Sequence, residues 1–92
     1  MISETTIRKV RELAIEDVLS PYVRLSRKGS TLMGLCPFHT EKTGSFAVTP
    51  GKNLFHCFSC NRGGDSITFI MEKENLSFST AVEFIARNHN IP

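Results

Sequence analysis

Two short clusters of potential metal donors govern what this chain can fold into. They are Cys36-Pro-Phe-His39 and, after 17 intervening residues, Cys57-Phe-Ser-Cys60, and they hold every cysteine in the sequence. Two residues between paired donors let a tight turn aim both at one ion, and four donors so arranged close a tetrahedral zinc site with no position left for water. Three buried thiols and an incidental histidine would give no reason for one shared spacing. A chain of 92 residues also needs such a brace, because a domain this small buries only ~60–65% of its unfolded surface. Disulfides are a weaker solution. Three cysteines are an odd number, and the opening residues show no apolar run of the kind a secretory leader carries. No apolar run is long enough to span a bilayer. A reducing, cytoplasmic setting is the expectation, with no membrane partner.

The net charge of +2 is unevenly spread. Residues 1–20 carry Arg8, Lys9 and Arg11 against Glu4, Glu12, Glu16 and Asp17, a net of −1. Residues 21–63 carry Arg24, Arg27, Lys28, Lys42, Lys52 and Arg62 against Glu41 alone, a net of +5. Residues 64–92 carry Lys73 and Arg87 against Asp65, Glu72, Glu74 and Glu83, a net of −2. The positive charge thus accompanies the donor clusters, a pattern that suits a polyanionic partner. A solvated basic face is the plainer reading of the same charges.

One domain is expected from the length, divided into a helical lead-in over 1–20, a zinc ribbon over 21–64 and two helices over 65–92. Ile7, Val10, Ala14 and Val18 recur at helical spacing, and Pro21 should end that helix near Ser20. Ala14-Ile15 leaves open a break into two shorter helices. Tyr22–Leu25, Thr31–Leu35, Phe46–Thr49 and Asn53–His56 are short, β-prone runs bounded by turn residues. Lys28-Gly29-Ser30 and Pro50-Gly51-Lys52 read as hairpin turns. Asp65 should cap a helix to about Glu74, with Ile67, Ile70 and Met71 inward, and Ser77 another to about Asn88, with Phe78, Ala81, Val82 and Ile85 as its apolar stripe. The fold class is therefore α+β: a small antiparallel sheet with a three-cysteine, one-histidine zinc site, flanked by helices at both ends.

Cys36, His39, Cys57 and Cys60 are the expected ligands of one structural zinc. Asn61, Gly63 and Gly64 follow the second knuckle, where residues tolerant of positive φ help backbone N–H groups fold back toward sulfur. His56 competes for a ligand role, but adjacent strand residues face opposite ways, so it and Cys57 do not converge. His89 has no apparent partner and reads as a surface residue. His39-Thr-Glu41 with Cys57 and Cys60 mimics a zinc-deaminase pattern, yet Cys36 fills the position that a catalytic water would need. Glu41 then reads as an exposed turn residue. Carboxylate clusters for two-metal chemistry and a phosphate-binding loop are both missing, so the chain by itself is not expected to catalyse a reaction.

The residues around the donors resemble a known family. Gly34-Leu-Cys-Pro-Phe-His39, Glu41-Lys-Thr-Gly-Ser-Phe46, Phe55-His-Cys-Phe-Ser-Cys60 and Gly63-Gly-Asp65 are similar to the N-terminal zinc-binding domain of DnaG-type bacterial and phage DNA primases. Val18-Leu-Ser-Pro-Tyr-Val23, Glu74-Asn-Leu-Ser-Phe78 and Ala81-Val-Glu83 extend the match over nearly the whole chain. Gly44 stands where that family typically has proline, and Ser59 where it typically has glycine. The first should loosen the loop after Lys42, and the second alter the turn of the second knuckle. The resemblance implies a module that contacts single-stranded DNA template and helps select where a primer starts. It also implies a metal-dependent polymerase domain elsewhere, so that these residues would be a fragment or a stand-alone relative, of chromosomal, phage, plasmid or transposon origin.

Candidate DNA contacts follow from charge and turn position: Arg27, Lys28, Lys42, Lys52 and Arg62, where long cations reach phosphate. Lys42 also falls within the matched motif. Bases stack on aromatics, which brings in Phe38, Phe46, Phe55 and Phe58, although most of these are expected in the core. Alternation puts Phe55 opposite His56 and Leu54. His56 is expected to be exposed near DNA, while Phe55 stays open between core and base platform. Phe69, Phe78 and Phe84 are assigned to packing. An alternative function is a protein-interaction ribbon whose acidic helical end, with Glu72, Glu74 and Glu83, docks a replicative helicase or a primase polymerase domain in cis or in trans. Redox sensing through Cys57 and Cys60 is open to any thiolate zinc site.

Overall fold

A computed structural model describes residues 2–39 and 44–91. The sequence element that begins it is short and amphipathic. Helix α1 (Glu4–Glu12) starts where the Ser3 hydroxyl accepts the Thr6 N–H at 3.1 Å, and it buries Val10. It ends because Leu13 turns extended, and α2 (Ile15–Leu19) begins after an equally extended Ala14. Of the two arrangements the sequence left open, the broken one is realised. Ala14 offers α2 no side-chain cap. The Ile15 N–H is taken instead by Asn53 Oδ1 at 2.8 Å, while Asn53 Nδ2 donates to Leu13 O at 2.9 Å and Arg11 O at 3.2 Å. One amide from a distant turn therefore satisfies both sides of the break.

Residues 22–25, expected as a strand, do not form one. The N–H groups of Tyr22 and Val23 bond back to Leu19 O at 2.9 and 3.2 Å, so this segment closes the helical turn and crosses toward the sheet. The strands are β1 (Ser26–Lys28), β2 (Thr31–Gly34), β3 (Phe46–Thr49), β4 (Leu54–Cys57) and β5 (Gly63–Gly64), in that order and antiparallel throughout. Strands β1 and β5 both went unread: the first strand was expected at 22–25, just before β1, and the glycines of β5 carry no side chain to reveal alternation. Gly29 has φ +65° in the two-residue turn that joins Lys28 to its partner Thr31, as the Lys28-Gly29-Ser30 signal indicated. The β3–β4 turn ends on Asn53 at φ 57°.

Register sorts the sheet into two faces. Leu32, Val48 and Phe55 line up on one side, and Phe46 pairs with Cys57 on that same side. Ser26, Met33, Ala47, His56 and Gly63 form a row across the other. Helices α3 (Ser66–Glu74) and α4 (Phe78–Asn88) complete the chain. Asp65 Oδ1 accepts the Thr68 N–H at 2.8 Å and Ser77 Oγ the Thr80 N–H at 3.3 Å, so both expected caps are present. Asn75 at φ 56° ends α3.

The inner sheet face meets α3 through aromatic rings. Phe46 and Phe55 stack at 5.4 Å, and Phe69 of α3 stands edge-on to both, at 6.0 and 5.4 Å. Phe38 and Tyr22 add rings 5.2 and 5.5 Å from Phe69. Ile15, Leu19, Ile67, Ile70, Val82 and Ile85 extend this core into the helices. Met71 and Phe84 are partly buried against it. Phe78 departs from its expected packing role: it is exposed, with the Arg11 guanidinium 5.8 Å from its ring. His89 is half-buried as the C-cap residue of α4 rather than lying free on the surface.

Candidate metal centre and sheet face

The two knuckles bring Cys36, His39, Cys57 and Cys60 together, with one donor atom from each lying within 4.8 Å of all the others. Cys36 follows the end of β2, Cys57 ends β4, and His39 and Cys60 follow in the turns. Cys36 Sγ and Cys60 Sγ are 3.8 Å apart. That is far beyond a disulfide bond length. It is the edge expected of a tetrahedron with Zn–S bonds of about 2.3 Å. Cys57 is fully buried, Cys36 is 4% exposed, and His39 Nδ1 is sealed from solvent. The donor set and its closure fit one structural zinc, with Cys36, His39, Cys57 and Cys60 as the residues that would hold it. His56, on the opposite side of β4 from Cys57, lies outside the group.

The surroundings prepare Cys57 as a thiolate. Burial alone would push the Cys57 thiol up, but backbone N–H groups of Cys60 and Ser59, with help from Cys36 and the Ser45 hydroxyl, bring it down to about 7. Cys36 is pushed up to about 12, first by burial and then by its sulfur neighbours. Asn61 sits at φ 61° and returns its N–H to Cys57 O at 2.8 Å, while the Cys57 N–H reaches Arg62 O at 2.8 Å. Ser59, the unusual residue of the second knuckle, bonds Ser45 Oγ at 2.6 Å and so ties the knuckle to the segment entering β3.

Helix α3 holds both knuckles. Lys73 Nζ donates to Pro37 O at 3.1 Å in the first. From the second, Arg62 Nε lies 3.4 Å from Glu72 Oε1, and its guanidinium is 5.1 Å from the Phe38 ring centre. A hydrogen bond to Cys60 also raises the Arg62 pKa above its ordinary value. Arg62, selected by charge as a DNA contact, is thus already engaged around the metal centre.

The other candidates separate clearly. Arg27, Lys28 and Lys52 are exposed at the hairpin end of the sheet, at the strand ends opposite the knuckles. Lys42 lies outside the described residues, as does Glu41. His56 is half-buried at the centre of the outer face, edge-on to Phe58 with ring centres 4.8 Å apart. Phe55 requires a correction as a DNA contact: at 3% exposure, with its ring stacked on Phe46, it has no face to offer a base. Phe58, one of four aromatics of which most were expected in the core, is 71% exposed, whereas Phe38, at the equivalent place in the first knuckle, packs on Phe69. Arg24 was passed over as well. It is exposed just before β1, in the basic stretch the charge count had already marked.

Comparison with known proteins agrees with this geometry. A family model described as the CHC2 zinc finger, the zinc ribbon of DnaG, matches residues 2–92. The chain belongs to the CHC2 zinc-finger family. Its ligand order, a cysteine, a histidine and two cysteines, is the order of Cys36, His39, Cys57 and Cys60. DNA primase of Halalkalibacterium halodurans is 44% identical over 91 residues, covering 98% of this chain and 15% of that protein. DNA primase of Mycobacterium tuberculosis is 52% identical over 87 residues, covering 92% and 14% respectively. The crystal structure of the zinc binding and RNA polymerase domains of Aquifex aeolicus primase superposes with a TM-score of 0.85 at 40% identity, covering 98% of this chain and 22% of that one. The chain therefore spans about one-seventh of the length of these curated relatives. It is a primase-type zinc-binding domain with a single structural zinc.

Proposed function

We propose that this domain binds single-stranded DNA template through the outer face of its sheet and helps select where a primer starts. The observation that carries this reading is the make-up of that face. Lys28 and Lys52 edge it, His56 sits at its middle, and Leu54 and Phe58 lie exposed beside them, while Arg27, the register partner of Leu32, belongs to the other side of β1. Cations for phosphate interleaved with apolar and aromatic surface for bases are what sequence-tolerant single-strand binding uses. The zinc gives the face its shape by fixing the ends of β2 and β4. A primase polymerase domain is the proposed catalytic partner, in cis or in trans, since the relatives named DNA primase extend far beyond this region. The domain acts as one unit in a cytoplasmic setting; no described helix is long and apolar enough to cross a membrane.

The docking alternative is less well supported. Two of the three acids it relies on are occupied within the chain: Glu72 with Arg62, and Glu74 with the Tyr22 hydroxyl at 2.8 Å. The test of template binding is titration of the zinc-loaded chain with short single-stranded oligonucleotides at two salt concentrations. Affinity should fall at higher salt with a slope of roughly −0.7 per phosphate contacted. Replacing Lys28 and Lys52 by glutamine should flatten that slope. Absence of binding to any single strand, or binding indifferent to salt, rules the reading out.

A further inference from the structure

A cleft of about 590 Å³ opens at the outer edge of the sheet, beside the first knuckle. It is lined by Arg24, Ser26, Lys28, Met33, Leu35 and the backbone of Gly34 and Gly44. None of these residues was assigned a common role above. The volume falls within the range of small-ligand sites.

Its chemistry is one-sided. Met33 and Leu35 supply apolar surface, and Leu35 is 52% exposed although it adjoins a zinc ligand. Arg24 and Lys28 are both exposed and cationic, and among the described residues no acid lines the cleft. An apolar floor between two cations suits a ligand with a flat apolar face and anionic ends.

The walls are fixed. Gly34 lets the Arg24 carbonyl come close, since a β-carbon at position 34 would lie 2.5 Å from it. Arg24 is thereby pinned beside the end of β2. Ser26 and Met33 are register partners, so their side chains share a face. Leu35 precedes Cys36, so the metal centre sets one end of the floor. Ligand recognition by a preorganised site avoids the ordering cost that a mobile surface would incur.

We infer that this cleft receives one unstacked nucleobase of a single strand, its face on Met33 and Leu35, with Arg24 and Lys28 holding the flanking phosphates. This rests on the template-binding reading above and adds a base-sensing position to it. Phosphate contacts would position the strand, while the apolar floor would respond to the presence of a base.

The test compares two probes of equal charge: a twelve-nucleotide oligothymidylate, and an oligomer of the same length whose sugars carry no bases. Each is titrated into the zinc-loaded chain and followed by backbone amide NMR shifts. The base-bearing strand should bind about fivefold more tightly, the lower end of what one base contact contributes, and shift the Met33, Leu35 and Gly44 amides. Met33→Ser with Leu35→Ser should narrow that gap to what the exposed Leu54 and Phe58 contribute. Arg24→Gln with Lys28→Gln should weaken both probes alike and leave the gap intact. All four side chains lie on the surface or only half-buried, and a melting curve checks that each variant is folded. Equal affinity for the two probes, or a gap that the double serine variant leaves unchanged, overturns the cleft while leaving template binding in place. Failure of both probes to bind overturns the cleft and the template reading together.

Discussion

Strands β3 and β4 and strands β1 and β2 belong to one sheet but live in different environments. Phe46, Ala47 and Val48 of β3 are all buried, as are Phe55 and Cys57 of β4. In β1 every residue is exposed, and in β2 none is fully buried. The inner pair is held by an aromatic core against α3. The outer pair has its ladder, the Gly29 turn, the knuckle that follows Gly34 and, from β2, the partly buried Leu32 against the core. The contrast teaches how a small domain divides its labour. Packing is concentrated where it stabilises, and the metal extends order to a region that packing reaches only in part. That outer region stays available for contact.

Zinc removal is the harshest trial of this division. A chelator strong enough to strip the ion should abolish the cooperative thermal transition seen by circular dichroism, because structural zinc and folding are one equilibrium in small ribbons. A chain that melts unchanged without metal would mean that the inner core suffices alone. Next comes Phe69→Ala, which removes the ring at the centre of the aromatic cluster. Urea unfolding should show a loss of about 3–5 kcal/mol, whereas Met33→Ser on the outer face should stay within about 0.5 kcal/mol. Similar losses at the two sites would dissolve the distinction between inner and outer strands.

Asn53→Ala tests how the helices are attached to the sheet. Its amide serves Ile15 N–H, Leu13 O and Arg11 O, and losing it should cost about 1–3 kcal/mol in the same measurement. The smallest effect concerns Tyr22, the single tyrosine of the chain. Burial and then the Glu74 carboxylate raise its pKa from 10.0 to about 12. An ultraviolet titration should therefore show an ionisation midpoint well above the ordinary one, and Glu74→Gln should move it back down. Between those values the folded chain keeps a proton that the unfolded chain has lost. The stabilisation is complete below pH 10 and fades as pH rises through about 12.

Much of this molecule was legible from residue order, and the exceptions share a cause. The ligand set could be read because metal chemistry demands a spacing that chance seldom supplies. Asp65 and Ser77 could be read as caps because capping is local. The role of Asn53 could not, since its partners lie about 40 positions away. Nor could the fate of Tyr22 and Val23, whose β-prone side chains yielded to hydrogen bonds back to Leu19. Phe55 and Phe58 are three residues apart and share a residue type. Only the register of β4 and the outward bow of the knuckle send one inward and the other to solvent.

Four asparagines, at positions 53, 61, 75 and 90, adopt φ between 56° and 61°. Glycine would reach that conformation more easily, but it would also leave the unfolded chain far freer. By keeping a β-carbon at each of these corners, the sequence narrows the disordered ensemble it must escape. Part of the entropy that opposes the folding of so short a polymer is therefore removed before any contact forms.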